Sequence, residues 1–130
     1  MRKLKSTRRI CIDLDGTLCD TYNHEGALYE DVSPMEGAAE AVANLRAAGF
    51  RIVLYSARNM KACNNSLGHI TAVQAPIIDK WCKKHNIEYD ELWLGKPLAD
   101  FYIDDKGITF QGDWKATVDE VIARGEVEHE

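Results

Sequence analysis

ICIDLDGTLCD, residues 10–20, sets Asp13 and Asp15 into an apolar run and follows them at once with Gly16 and Thr17. An apolar run of this length predicts a buried β-strand. Burying an ionised carboxylate is costly unless an opposite charge or a metal ion compensates it. The stretch therefore predicts a strand that ends in a functional site, and the partner of the two aspartates decides what that site does.

The composition predicts one domain over residues 1–130, because 130 residues leave little room for a second core. A formal net charge of −5 argues against a large nucleic-acid footprint and leaves a local basic patch open. No apolar run reaches the length of a membrane span, so we expect no membrane association. The four cysteines form no CxxC pair, and Asp13 breaks the apolar stretch that a signal peptide needs. We therefore expect free thiols and a cytoplasmic location.

Apolar runs and helical patterns alternate along the chain. Strands are predicted at residues 8–15, 51–58, 91–95 and 101–104. Helices are predicted from an N-cap at Ser33 to Gly49, from Pro76 to about Asn86, and from about Trp114 to Arg124. The alternation predicts an α/β fold, a single-domain Rossmann-like parallel sheet with helices on both faces.

Polar residues stand where each predicted strand ends, and these ends meet at one edge of a parallel sheet. They are Asp13 and Asp15, Ser56 and Arg58, Lys96, and the pair Asp104 and Asp105. Oxygen-rich clusters of carboxylates are what Mg²⁺ binds, and phosphate suits a metal ion together with lysine and serine. The residues therefore predict a magnesium and phosphate site.

Each feature also has a structural interpretation when taken alone. Ser56 could be a satisfied strand-end hydroxyl, Arg58 a surface residue, and the Asp104–Asp105 pair a turn cap. An EF-hand loop is excluded, because Thr17 and Leu18 stand where that loop needs an acid or asparagine and then glycine. Only the combination of these residues favours a catalytic site.

In combination the residues resemble the haloacid dehalogenase (HAD) superfamily. The matching motifs are DLDGT (13–17), Ser56, Lys96 and the Asp104–Asp105 pair. SARNM (56–60), LGKP (94–97) and FYIDD (101–105) are most similar to the small phosphatases of capsular-polysaccharide biosynthesis. The resemblance implies a HAD-like hydrolase without a cap domain.

The resemblance also implies a role for each matching residue. Asp13 is the implied nucleophile that becomes an aspartyl phosphate, and Asp15 the general acid and base. Mg²⁺ is the implied cofactor, held by Asp13, the Asp15 carbonyl and Asp104, with Asp105 behind them. Phosphate contacts are implied for Ser56, for Lys96 and for the backbone near Gly16 and Thr17; Arg58 and Asn59 are candidates for substrate contact.

The implied activity is hydrolysis of a phosphate monoester, on a sugar phosphate or a glycan precursor of the cell surface. A nucleotide or nucleic-acid-end phosphatase is the enzymatic alternative. A receiver-like signalling domain would need an aspartate where the second strand ends, but that strand ends in YSAR. A phosphate-binding module without catalytic activity is a further alternative.

Without a cap the site is expected to be open. Segment 19–32, with Tyr22, His24 and Tyr29, or loop 59–74 would then exclude water, or a neighbouring subunit of a homo-oligomer would. Lys96 and Asp104 are only eight residues apart, which predicts an abbreviated crossover between them.

Overall fold

The computed structural model describes residues 8–23 and 26–127, so His24 lies outside the described residues. It is an α/β structure with three parallel strands and three helices, and the α/β class is thereby confirmed. The strands are β1 (Arg9–Asp13), β2 (Arg51–Ser56) and β3 (Glu91–Leu94); the helices are α1 (Ala38–Ala47), α2 (Leu67–Lys84) and α3 (Trp114–Val127). Within these residues, no helix has the length and apolar character that crossing a bilayer requires.

The central strand β2 determines the register of the sheet. It pairs in parallel with β1 on one side and β3 on the other, so Leu54 lies between Ile12 and Leu92. Ile52, Val53 and Leu54 are all buried, as an unbroken apolar run in a parallel sheet predicts. The carboxyl ends of the three strands therefore lie side by side, which is the arrangement that the strand-end residues need.

Helices α1 and α2 pack on one face of this sheet, and α3 packs against α1 on the same side. Buried residues of α1 and α2 join a single apolar cluster with Leu54, and Trp114 of α3 belongs to it too. The order β1-β2-β3 advances in one direction, so right-handed crossovers place α1 and α2 on the same side. The prediction of helices on both faces is wrong for the described residues; Cys11 and Trp93, on the opposite face, are exposed.

The start of α1 differs from the prediction. The sequence favours an N-cap at Ser33, whereas the helix begins at Ala38. Pro34 instead pairs with Cys19 in an isolated antiparallel bridge. Backbone hydrogen bonds hold residues 33–35 against the loop after β1, which keeps them out of the helix.

The helix α2 also begins earlier than predicted. Leu67 opens it, so Pro76 lies inside the helix and the second half of the predicted loop 59–74 is helical. Ile70, Gln74 and Ile78 are buried along one face on both sides of the proline. Packing of that face outweighs the local cost of an interior proline, which sequence propensity alone treats as a boundary. At the other end of the chain, α3 runs past the predicted stop at Arg124.

The predicted fourth strand at residues 101–104 is absent. These residues have no strand partner, and Phe101 and Ile103 are 85% and 97% exposed. Only residues 95–100 connect β3 to this segment, whereas a crossover to a parallel neighbour needs about a dozen residues. The connection is too short, and the segment lies outside the sheet.

Candidate active site

The loop after β1 is a tight turn held by its own backbone. The Leu14 carbonyl accepts hydrogen bonds from the amides of Thr17, Leu18 and Cys19 at 3.1, 2.9 and 2.8 Å. Gly16 has a φ of +84°, and its amide donates to the Cys19 carbonyl at 2.9 Å. The amides of Gly16 and Thr17, expected to hold phosphate oxygens, therefore already have partners inside the loop in this conformation.

Two contacts from distant elements fix the loop in place. The Trp114 indole Nε1 donates to the Thr17 carbonyl at 3.0 Å, which connects the start of α3 to the loop. The Met35 amide donates to the Leu18 carbonyl at 2.7 Å. The turn that carries Asp13 and Asp15 is thus braced from two sides.

Asp13, at the end of β1, is paired with Lys96. The Lys96 Nζ lies 3.6 Å from Asp13 Oδ1, and the two side chains are 13% and 29% exposed. Burial raises the pKa of Asp13 above its ordinary value, while Lys96 and the Leu14 amide oppose that shift. Amides of Gly95 and Lys96 donate to the Ser56 carbonyl, which fixes the backbone of the lysine at the end of β2. The pair is a partly shielded carboxylate beside a fixed ammonium group.

Asp15 is held by a different cation. Arg58 donates through Nε to Oδ2 at 2.8 Å and through Nη2 to Oδ1 at 3.0 Å. The Thr21 hydroxyl donates to Oδ1 at 2.6 Å. Asp15 accepts in each of these hydrogen bonds, so Arg58 and Thr21 together fix the orientation of its carboxyl group.

Arg58 is almost completely buried, so it is neither a surface residue nor placed for substrate contact. Its side chain is 2% exposed, with Nη1 3.3 Å from Gln74 Oε1 and Nη2 3.5 Å from Cys19 Sγ. The Tyr29 ring stacks on the guanidinium, with its centroid 4.0 Å from Cζ. Burial raises the pKa of the Cys19 thiol to about 12, so this sulfur is a neutral neighbour. Arg58 is thus a structural cation for Asp15.

Ser56 and Asn59 lie in the turn that follows β2. Ser56 is 1% exposed, and its Oγ accepts the Arg58 amide at 2.9 Å, the bond of a satisfied strand-end hydroxyl. Asn59 has a φ of +59°, and its carbonyl accepts the Cys63 amide at 2.8 Å. In this conformation both residues shape the turn between β2 and α2.

Asp104 and Asp105 are not brought to the other site residues. Both are exposed, and Asp104 Oδ1 accepts the amides of Lys106 and Gly107 at 2.9 and 2.7 Å. These backbone hydrogen bonds lower the pKa of Asp104, as expected for a carboxylate that caps a turn. Across the described ranges, no three acidic, histidine or cysteine side chains are grouped so that they could hold a metal ion.

The predicted magnesium site therefore does not fit the residues as they are placed. Each of the two partly buried carboxylates already has a cation, Lys96 for Asp13 and Arg58 for Asp15. Arg58 donates to both oxygens of Asp15, whereas Lys96 only partly offsets the burial of Asp13, whose pKa stays above its ordinary value.

Aromatic side chains surround Lys96 at the mouth of the site. Its Nζ lies 4.4 Å from the Tyr102 ring centroid and 4.8 Å from that of Tyr55. The Tyr22 ring packs against Gly16, where a Cβ atom would collide with it. Tyr22 and Tyr102 are 78% and 52% exposed, so both rings are accessible to a ligand above Lys96.

Several of these partners carry no signal in the sequence. Thr21 and Gln74 are ordinary polar residues in a turn and a helix, and their roles come only from contact with Asp15 and Arg58. Tyr102 lies in the predicted fourth strand, which does not form, and the structure places its ring beside Lys96. Among these partners, only Arg58 could have been expected at the site from the sequence, because it stands two residues after the end of β2.

Comparison with known proteins finds likeness among solved structures. The chain is similar to a Vibrio cholerae protein of known crystal structure, with 30% identity and a TM-score of 0.71 over 88% of this chain and 99% of that one. Two chains of the Pnkp1/Rnl/Hen1 RNA repair complex share the fold at 21% and 16% identity, each with a TM-score of 0.50. The matches cover 76% and 95% of this chain but only 31% and 34% of those longer chains. No protein-family model and no curated protein matches the sequence.

Proposed function

We propose that this chain, which belongs to the same family as the Vibrio cholerae protein, is a phosphomonoesterase that passes the phosphoryl group first to Asp13 and then to water. The observation that carries the proposal is the 3.6 Å ion pair of Asp13 with Lys96 at the carboxyl edge of the sheet. A fixed ammonium group attracts the phosphate and offsets its repulsion from the attacking carboxylate. The resemblance of DLDGT, Ser56 and Lys96 to the HAD superfamily supports the same reaction.

The reaction has two half-reactions that use Asp13 and Asp15 in turn. The first begins with a proton on Asp15, taken up from solvent. An Asp13 oxygen attacks phosphorus and the ester P–O bond breaks; the leaving oxygen keeps the electron pair and takes that proton. In the second, water attacks the aspartyl phosphate and gives a proton to Asp15. The P–O bond to Asp13 breaks, and its electron pair returns to the carboxylate. The products are an alcohol and inorganic phosphate, and both side chains recover their starting state.

Mg²⁺ stays a prediction that rests on the family resemblance. Its expected ligands are Asp13, Asp15, Asp104 and Asp105, but the last two lie on an exposed turn away from the first two. We therefore derive no step through the ion. Loss of activity on treatment with EDTA, restored by added Mg²⁺, would support the prediction.

Two substrate classes are consistent with this chemistry. The resemblance to the capsule branch favours a sugar phosphate or a glycan precursor. The exposed rings of Tyr22 and Tyr102 around Lys96 favour a nucleoside phosphate or a nucleic-acid end, because stacking on an aromatic side chain contributes about 1–3 kcal/mol per base. The fold shared with chains of an RNA repair complex agrees with this second class.

The test of the reaction is a phosphatase screen of the purified chain. Sugar phosphates, nucleoside monophosphates, oligonucleotides with terminal phosphates and an aryl phosphate are each tested with Mg²⁺ and with EDTA. We expect hydrolysis by the wild type and background rates for Asp13→Asn. Asp100→Asn is the matched control, because Asp100 is exposed and outside the site. Activity that survives in Asp13→Asn, or a wild type inactive on every substrate, would contradict the proposal.

The same screen separates the substrate classes. If a base stacks on the rings, Tyr22→Ala and Tyr102→Ala should each raise KM for nucleotides about 10-fold, the effect of about 1.4 kcal/mol, and leave KM for sugar phosphates unchanged. An equal change for both classes, or none for nucleotides, would favour the sugar phosphate.

The cellular setting is part of the proposal. We place the chain in the cytoplasm, where reducing conditions suit its four free cysteines. The site as described is open at Tyr22 and Tyr102, so a second copy of the chain is the proposed cover. Analytical ultracentrifugation tests this, and a monomer at assay concentrations would contradict it.

A further inference from the structure

We infer that Arg58 and Thr21 are positioning residues for Asp15, and that they leave Oδ2 of Asp15 as the oxygen that exchanges the proton. The inference rests on the proposed function, because Asp15 has a reactive oxygen only if the chain hydrolyses a phosphate ester. Three hydrogen bonds to one carboxylate, from donors of known burial, carry it.

The two oxygens of Asp15 are not equivalent. Oδ1 accepts Thr21 Oγ1 at 2.6 Å and Arg58 Nη2 at 3.0 Å, whereas Oδ2 accepts Arg58 Nε at 2.8 Å and no second donor from the described chain. A carboxylate oxygen has about two lone-pair positions for hydrogen bonds. Oδ1 is therefore saturated, and Oδ2 keeps one free position. A proton from water can bind there without displacing a donor.

Arg58 cannot leave this arrangement easily, because each part of its guanidinium is held. The side chain is 2% exposed, Nη1 donates to Gln74, and the Tyr29 ring covers the face of the group. Its own amide is bound to Ser56 Oγ at 2.9 Å. Arg58 therefore sets the plane of the Asp15 carboxylate and does not exchange it for a substrate group.

Thr21 makes the two oxygens of Asp15 different from each other, which Arg58 alone does not do. A guanidinium paired with both oxygens leaves them alike, and the Thr21 hydroxyl is the donor that makes Oδ1 different. Thr21 opens a short 3-10 turn, Thr21–Asn23, in the segment that follows the DLDGT loop. Tyr29 on Arg58 comes from the same segment. Segment 19–32 thus contacts both Asp15 and Arg58, in addition to any role in excluding water.

The test uses an aryl phosphate with a good leaving group, because that group departs without a proton from Asp15. A variant with a misplaced base then still forms the aspartyl phosphate but hydrolyses it slowly. We expect Thr21→Val to lower kcat by about 10-fold, within the 10²–10⁴-fold that a positioned general base contributes, with little change in KM. The phosphoenzyme trapped by rapid quench should rise in Thr21→Val and return to the wild-type amount in Thr21→Ser.

Two further variants separate positioning from folding. Thr71→Val, an exposed threonine on α2, controls for loss of a hydroxyl and should keep the wild-type kcat. Arg58→Lys keeps the positive charge but loses the contact with both oxygens of Asp15. We therefore expect a large decrease in kcat and only a small change in KM. Thermal melts of each variant show whether it is folded at the assay temperature.

The outcomes distinguish this inference from the proposed function. A wild type with no turnover would overturn both. An active wild type with Thr21→Val within two-fold of its kcat would overturn the inference alone. So would a lower kcat without accumulation of phosphoenzyme, because the second half-reaction would then be unaffected.

Discussion

Replacing Arg58 with methionine tests the ion pair that holds Asp15. The variant keeps an unbranched side chain but loses the guanidinium that donates to both carboxylate oxygens at 2.8 and 3.0 Å. Removing one partner of a buried pair costs about 3–5 kcal/mol, because the other charge stays buried without compensation. Asp15 is 19% exposed, so water relieves part of that cost. We expect Arg58→Met to lower the free energy of unfolding by about 3 kcal/mol.

A double-mutant cycle isolates the pair itself. Asp15→Leu removes the other charge, and the double variant with Arg58→Met leaves neither charge buried alone. We expect the double variant to be about 2 kcal/mol more stable than the sum of the single changes implies. Urea unfolding followed by tryptophan fluorescence measures each corner of the cycle. Lys83→Met, which breaks an exposed pair with Asp79, is the control and should leave the free energy of unfolding nearly unchanged.

Two results would refute this reasoning. Additivity of the single changes within about 0.5 kcal/mol would show that Arg58 and Asp15 are not coupled. A cost for Arg58→Met no larger than that for Lys83→Met would show that Arg58 is not buried in solution.

Three further expectations follow from burial and charge. Burial raises the pKa of Asp13, so its ionised form destabilises the fold and Asp13→Asn should raise Tm at pH 7. In thermal melts, this gain in Tm should shrink as the pH falls toward 3.8. Hydrogen bonds from arginines on β2 and β1 lower the pKa of Glu91 to about 2, so Glu91→Gln should lower Tm above pH 4.5, with the difference lost as pH falls toward 2. Burial raises the pKa values of Cys19 and Cys82 to about 12, so a thiol reagent should label them only on unfolding, whereas exposed Cys11 reacts in the native state. Equal labelling rates for these three cysteines would contradict the burial described.

The sequence predicted the parts of the fold that local patterns determine. The strands at β1, β2 and β3 are short apolar runs with clear ends, and all three are confirmed. The errors come from contacts between distant residues. Pro34 is held out of α1 by its bridge to Cys19, and Pro76 lies inside α2 because Ile70 and Ile78 bury the helix on both sides of it. The FYID segment has strand propensity, but its connection to β3 is too short to reach a parallel neighbour.

For the candidate site, the sequence predicts which residues lie at the ends of the strands, but not how their side chains pair. Parallel strands bring Asp13, Ser56 and Lys96 to one edge, and the structure places them there. The pairing of Asp15 with Arg58 joins residues 43 positions apart and depends on side-chain direction, which a single sequence does not contain. The sequence suggested a metal ion beside these carboxylates, and the structure shows that each of them also has a basic side chain as its partner.

The most direct test of the central claim is the location of the phosphoryl group during turnover. The chain is mixed with an aryl phosphate, quenched within one turnover, digested and mapped by mass spectrometry. We expect an acyl phosphate on the peptide that contains Asp13, and none in Asp13→Asn. Turnover by the wild type with the phosphoryl group on another residue, or unchanged turnover by Asp13→Asn, would contradict the role of Asp13 as the nucleophile.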